Sequence, residues 1–373
     1  MASIVDSSSY THPVTGQVAT RQLKKLERLR DRSEAPEALT PTAPECQPLR
    51  SGVSSIAHPT LVMSILNVTP DSFSDGGDHR PENLEKLKAT AASHIAAGAA
   101  IIDIGGQSSR PGAVDITAEE ELARVLPAIQ AIKSLPEASK VTISVDTYRA
   151  NVAKAAVEAG AHIVNDISAG TLDSKMFATV AELGCTYMMM HMRGTPSTMQ
   201  SEENTRYPEG KVIETIAHEL RHRVRAAEAA GIRRWRIVLD PGVGFSKTTH
   251  QNLEILRNLP RLRALERFYN IPWLIGTSRK NFIGQITGAT EPKDRVFGTA
   301  AAVTAAVQGG ASIVRVHDVP EMAQVVKMAD AIFKARGSGD QAAKESREGA
   351  QDTQESKESF GPQDMEETRN AGP

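Results

Sequence analysis

Short apolar runs along this chain end in residues that can bind or stabilise charge: Asn67, Asp103, Asp146, Asn165 with Asp166, His191, Asp240, Ser278 to Lys280, and Arg315 with His317. By type they form two sets. Asp103, Asp146, Asn165 and Asp240 offer acceptors and an amide, which suit the donor and acceptor edge of a flat heterocycle; a site that pairs each polar group of such a ring discriminates strongly. Lys247, Lys280, Arg315 and His317, with Arg110, offer donors on different loops, the kind of set that holds a phosphate or diphosphate. Acceptors deep and cations outside would fit a base-like ring carrying an anionic leaving group. Asn67 adds an oxygen that could share Mg²⁺ with phosphate oxygens, because magnesium keeps waters and takes few protein ligands. Each residue alone has a bland reading, as a helix cap, a turn residue or a solvated surface charge. Eight runs that all end in polar groups are harder to assign to packing, since buried charge without a partner is costly.

To converge, these residues need a scaffold, and a repeating pattern supplies one. The passages AAGAAIIDIGG, EAGAHIVNDIS, ELGCTYMMMHM, AAGIRRWRIVLDPG and QGGASIVRVHD each carry a small-residue helix end, a glycine and an apolar run. Glycine tolerates the left-handed conformation that ends helices, so Gly98, Gly160, Gly184, Gly231 and Gly309 or Gly310 mark helix ends ahead of strands. Leu61 to Leu66, Val141 to Val145 and Pro272 to Gly276 bring the strand count to eight, and segments such as Pro81 to Ala97 and Glu119 to Lys133 have helical periodicity. The apolar runs are continuous rather than alternating, as expected of strands covered on both faces. Eight βα units predict an α/β fold, a single (β/α)₈ TIM barrel with its site at the C-terminal ends of the strands. A doubly wound sheet is the runner-up, but NVTPDSFSDGG after the first strand is not the glycine fingerprint of that fold.

Composition sets the limits of the unit. Of 373 residues 40% are hydrophobic and 24% charged, enough to build a sizeable core. A net charge of −2 argues against nucleic acid as a partner and leaves any anion site to a few placed residues. Cys46 and Cys185 form no disulfide framework or metal-ligand spacing. No apolar run approaches the length of a membrane span, and the amino end lacks a signal-peptide core. A cytoplasmic location is expected, with a mitochondrial one as the alternative, because the leader mixes Ser, Thr, Arg and Lys but also carries acids. Residues 1–57 read as a polar leader, with a charged helical candidate at 21–32 and a Pro-rich linker at 35–49. The barrel is expected over 58–336. The tail 337–373 has no Leu, Ile or Val and is expected to be disordered.

Two strings are decoys. GVGFSKTT, at 242–249, lacks the glycine before lysine that a P-loop requires. Met188 to Met190 reads as strand core, although Met192 beyond it could line a pocket wall.

The strings NVTPDSFSDGG, IDIGGQSSRPGA, SVDTYR, AHIVNDIS, MHMRGTP, LDPGVGF, GTSRKNFIG and VRVHDV resemble dihydropteroate synthases from end to end of the unit. The resemblance implies condensation of a dihydropterin methyl diphosphate with 4-aminobenzoate, giving dihydropteroate and diphosphate. It implies that Asp103, Asp146, Asn165, Asp240 and Lys280 hold the pterin, with Met192 and Phe245 packing nearby. Asn67, through Mg²⁺, would hold the diphosphate with Arg315 and His317, while Phe73, Ser109, Arg110, Pro111 and Lys280 would help to form the aminobenzoate pocket. Asp103, Lys280 and Arg110 are the implied catalytic residues, and a homodimer is implied. Gln107, Ser109 and Asn281 depart from the common Glu, Thr and Ser, which puts aminobenzoate affinity in question. The rival readings are a pterin-binding methyltransferase and a catalytically silent pterin-binding paralogue.

Overall fold

Each apolar run is a parallel β-strand in the computed structural model, which describes residues 58–69, 81–108, 112 and 114–334. The strands are β1 Leu61–Asn67, β2 Ile101–Gly105, β3 Thr142–Asp146, β4 Ile163–Asp166, β5 Thr186–Met190, β6 Ile237–Asp240, β7 Leu274–Ile275 and β8 Ile313–Val316. They pair in the order β6-β5-β4-β3-β2-β1-β8-β7. A single parallel bridge between Leu239 and Trp273 joins the two ends, so the sheet curls into the expected eight-stranded barrel. Strand β7 is shorter than the predicted 272–276 run. Pro272 has no N–H to give to the ladder, yet its carbonyl accepts the Leu239 amide at 2.9 Å and helps to form the seam.

Helices connect the strands around the outside. They are α1 Pro81–Ala97, α2 Ala118–Lys133, α3 Ala150–Ala159, α4 Met176–Leu183, α5 Glu202–Thr205 and α6 Val212–Ala229 in the first half of the barrel. After β6 come α7 Thr249–Arg257 and α8 Leu259–Ala264, after β7 come α9 Asn281–Thr287 and α10 Val296–Gln308, and α11 Val319–Lys334 closes the ring. Their ends follow local chemistry. Thr117 and Glu120 form a reciprocal capping box at the start of α2, and Gly160 ends α3 at φ 118°. Of the two candidate glycines after α10, Gly310 takes the left-handed conformation and Gly309 does not.

Side chains alternate along each strand, so one set points into the barrel and the other into the helical layer. Leu61, Met63, Ile101, Ile163, Met188, Val238, Leu274 and Ile313 form an inner plug of their own. Ile102, Ile104, Val145, Val164, Tyr187 and Leu239 instead join the larger core beneath the helices. The plug fills the lower part of the barrel, where β3 contributes the buried hydroxyl residues Thr142 and Ser144 in place of apolar ones. No helix among the described residues is long and apolar enough to cross a membrane. The leader, with its helical candidate at 21–32, and the tail lie outside the described residues.

Candidate active site at the barrel mouth

Strand register brings the polar ends together. It aligns Asn67 with Gly105, Gly105 with Asp146, and Asp146 with Asn165, one row across β1 to β4, and it pairs Met190 of β5 with Asp240 of β6. Asp103 lies two residues below Gly105 on the same inward face and is fully buried. Arg315 of β8 reaches across: its Nε donates to Asp103 Oδ2 at 2.7 Å and its Nη2 to Asp146 Oδ2 at 2.6 Å. Asn165 Nδ2 also donates to Asp103 Oδ2, at 3.1 Å. Asp103 Oδ1 keeps no protein partner among the described residues. On the opposite wall Asp240 Oδ1 accepts the Gly242 amide at 2.7 Å. Lys280, the residue before α9, donates to the Val243 carbonyl and carries its Nζ 4.7 Å above the centre of the Phe245 ring. His317 is held by Ser278, whose Oγ accepts its backbone N–H at 3.1 Å.

These groups line one cavity at the barrel mouth. Asp146, Asn165, Asp240, Lys280, Arg315 and His317 supply its polar lining, and Ile65, Ile167, Met190 and Phe245 supply apolar walls. Burial governs the charges. Asp146 and Asp240 are pushed above the usual carboxylate range by burial, against the pull of Arg315 on the first and Lys280 on the second. Burial lowers Lys280 to about 8, with Asp240 opposing. Burial also acts against the Arg315 charge, but Asp103 and Asp146 outweigh it and keep the guanidinium protonated. Two acids and two cations line a low-dielectric pocket with apolar sides, and a third acid, Asp103, lies beneath Arg315. Such a site can pair the edge of a planar heterocycle and favours positive charge that develops beside the acids.

The geometry revises several expectations. Cations were expected outside the acids, but Arg315 lies among them because two carboxylates hold it there. Asp103 sits beneath Arg315 rather than on the cavity wall. Lys247, expected to be an anion donor, is turned away from the cavity and bonded to His191 and the Phe245 carbonyl. His191 likewise faces Glu219 of α6, at 2.8 Å, and not the cavity. Asp166 points outward and ties the turn after β4: its oxygens accept from Ser168, Gly170 and Tyr187. For that residue the bland reading holds. Met192 packs with Ile167, Met190 and Met199 next to Phe245. Met188 and Met189 are core as expected, but Met190 lines the cavity. Phe73, Ser109, Arg110 and Pro111 lie outside the described residues. Gln107 has a local role: its amide donates to the Val114 carbonyl at 3.0 Å and accepts from the Ile116 N–H at 3.0 Å, linking the two ends of the segment between them.

Sequence reasoning missed Ile65, Ile167 and Met190 as walls. The signal for Ile65 was available, since it precedes Asn67 by two residues on the inward face. Asn67 meets a simple test for a magnesium ligand. A Cβ on Gly105 would sit in ordinary contact, 3.5 Å from Asn67 Oδ1 and 3.7 Å from Asp146 Oδ2, so these two oxygens face the same space above Gly105. Among the described residues no group of three or more His, Cys, Asp or Glu is placed to hold a metal ion.

Comparison with known proteins agrees with this geometry. Residues 63–317 match a family described as pterin binding enzyme. The chain is 49% identical over 296 residues to a mitochondrial folate synthesis bifunctional protein of Pisum sativum, covering 78% of this chain and 57% of that protein. It is 46% identical over 275 residues to dihydropteroate synthase of Synechocystis, covering 74% of this chain and 91% of that protein. A crystal structure of dihydropteroate synthase from Clostridium difficile, obtained in the presence of pteroic acid, superposes with a TM-score of 0.67 at 39% identity, covering 75% of this chain and 98% of that one. The chain spans about half the length of the longer folate-synthesis proteins that it matches. With the barrel, the acid-lined cavity and these matches in agreement, the chain belongs to the dihydropteroate synthase family of pterin binding enzymes.

Proposed function

We propose that this chain condenses 6-hydroxymethyl-7,8-dihydropterin diphosphate with 4-aminobenzoate to form 7,8-dihydropteroate and diphosphate. One observation carries the reading: Asp146, Asn165, Asp240, Lys280, Arg315 and His317, from five different strand ends, line one cavity. In the reaction the bond between the pterin methylene and the diphosphate oxygen breaks, its electron pair leaving with the diphosphate. The aniline nitrogen forms a new bond to that carbon and loses a proton. Asp146, Asn165 and Asp240 hold the ring edge, and the carboxyl groups of Asp146 and Asp240 favour positive charge on the methylene as the leaving group departs. The aniline is already a neutral nucleophile, so no strong general base is needed.

His317, and Arg315 once drawn off the acids, suit the diphosphate, and Asn67 suits a Mg²⁺ ion, which would neutralise charge on the departing diphosphate. By sequence resemblance Ser109, Arg110, Pro111 and Phe73 take the aminobenzoate together with Lys280. The catalytic unit proposed is 58–336. A homodimer is the partner reading. The groove between α7, α9 and α10 is lined by Leu253, Leu256, Phe282, Ile283, Ile286 and Ala302, and nearby Phe297 is 90% exposed. A cytoplasmic location is proposed, with a mitochondrial one as the second reading.

The test is diphosphate release by the purified chain. It should require both substrates and Mg²⁺, and a folded chain that releases none would sink the reading. Stabilisation by methyltetrahydrofolate but not by the pterin diphosphate would point instead to a methyl-transferring relative.

A further inference from the structure

Lys247 is the least expected charge in the molecule. It is only 3% exposed, and burial lowers its amine to about 7 while Asp240 opposes the shift. A buried cation is retained only if good acceptors offset its desolvation. The acceptors are the Phe245 carbonyl at 2.8 Å, His191 Nδ1 at 3.0 Å and the His191 carbonyl at 3.4 Å. The ammonium has no lone pair, so Nδ1 must accept from it, and the imidazole proton then sits on Nε2 and donates to Glu219. Burial, then the Lys247 charge, lowers His191 to about 4, which keeps the ring neutral in that tautomer. Arg193 also holds Glu219, at 2.5 Å through Nη2.

The chain so fastened is the segment that walls the cavity. It leaves β6 at Asp240 and passes so close to β5 that a Cβ on Gly242 would lie 2.0 Å from the His191 carbonyl. Asn252 fixes the Gly244 amide at 2.7 Å, and Ser246 exchanges hydrogen bonds of 2.8 Å with the Arg193 backbone. Neither contact touches Phe245. Among the described residues, the side-chain hydrogen bond that reaches the Phe245 backbone comes from Lys247. Lys280 in turn rests on the Phe245 ring and on the Val243 carbonyl. A chain of contacts therefore runs from α6 through Glu219, His191 and Lys247 to Phe245 and Lys280.

We propose that Lys247 is a positioning residue for the pterin: it fixes the Phe245 carbonyl against the end of β5, which sets the Phe245 ring and the Lys280 ammonium resting on it. The inference rests on the proposed function. A lysine that merely braced a loop would affect the whole site, whereas a lysine acting through Phe245 affects the ring subsite and spares the anion subsite at His317.

The experiment measures binding of 6-hydroxymethylpterin by its fluorescence and of inorganic diphosphate with Mg²⁺ by calorimetry, for the full chain and for Lys247→Met. The wild-type chain should bind both, and failure to bind the pterin would sink the functional reading itself. Lys247→Met should weaken the pterin about tenfold, or about 1.4 kcal/mol, and change diphosphate binding less than about twofold. Phe245→Leu should couple to it, the double variant binding pterin no more weakly than the weaker single one. Pterin binding within about twofold of wild type, equal losses for both ligands, or additive single effects would overturn the proposal. If Lys247→Met does not fold, Glu219→Gln keeps the shape and removes the charge that orients His191. It should weaken the pterin about threefold and spare diphosphate, and no change in pterin binding would overturn the inference.

Discussion

Lys280 joins three parts of the site: it lies on Phe245, is bonded to Val243 and is electrostatically coupled to Asp240. Its lowered value, about 8 against an ordinary 10.5, gives two pH effects of opposite sign. As pH rises through about 8 the ammonium is lost, so kcat/KM for the pterin substrate should fall by about tenfold per pH unit at its steepest. Stability moves the other way. Between about 8 and 10.5 the unfolded chain holds a proton that the folded chain lacks, so this group's contribution to stability rises with pH. A pH profile of kcat/KM measured beside thermal unfolding separates the two. Lys280→Arg should move the alkaline limb upward, because a guanidinium keeps its proton there. An unchanged limb would assign the titration to another group.

The segment between Asp240 and α7 has its path dictated by backbone geometry more than by side-chain packing. Gly242 has φ 69° and passes against the His191 carbonyl, so Gly242→Ala adds both left-handed strain and a clash. The variant should lose at least about 1 kcal/mol of stability and bind pterin more weakly, while far-ultraviolet circular dichroism keeps its barrel signature. At this scale the sequence was only partly legible. Strand ends and helix stops could be read because each depends on local chemistry: continuous apolar runs and a glycine able to turn left. Lys247 could not be read, since its direction depends on His191, 56 residues earlier, and on a glycine's close approach. Arg315 was assigned to the right mouth but the wrong depth, because its partner Asp103 lies 212 residues away and only the register reveals that both point inward. Ser109 and Arg110 stay with sequence resemblance alone.

At the scale of the whole molecule, the exposed apolar groove on α7, α9 and α10 bears on assembly. Phe297→Glu puts a charge beside that groove and should weaken self-association by at least about tenfold, read by light scattering across a dilution series. A chain that is monomeric at every concentration before mutation would refute the dimer reading. The barrel wall is also uneven. Neighbouring strands share ladders of up to five aligned pairs, but β6 and β7 meet only at the Leu239–Trp273 bridge. Asp240 ends one bank of that seam and Lys280 follows from the other. A ring held by both acts as a staple across the weakest joint of the wall. Hydrogen exchange at the Leu239 amide should therefore slow more on pterin binding than exchange at Ile104 in the β2–β3 ladder.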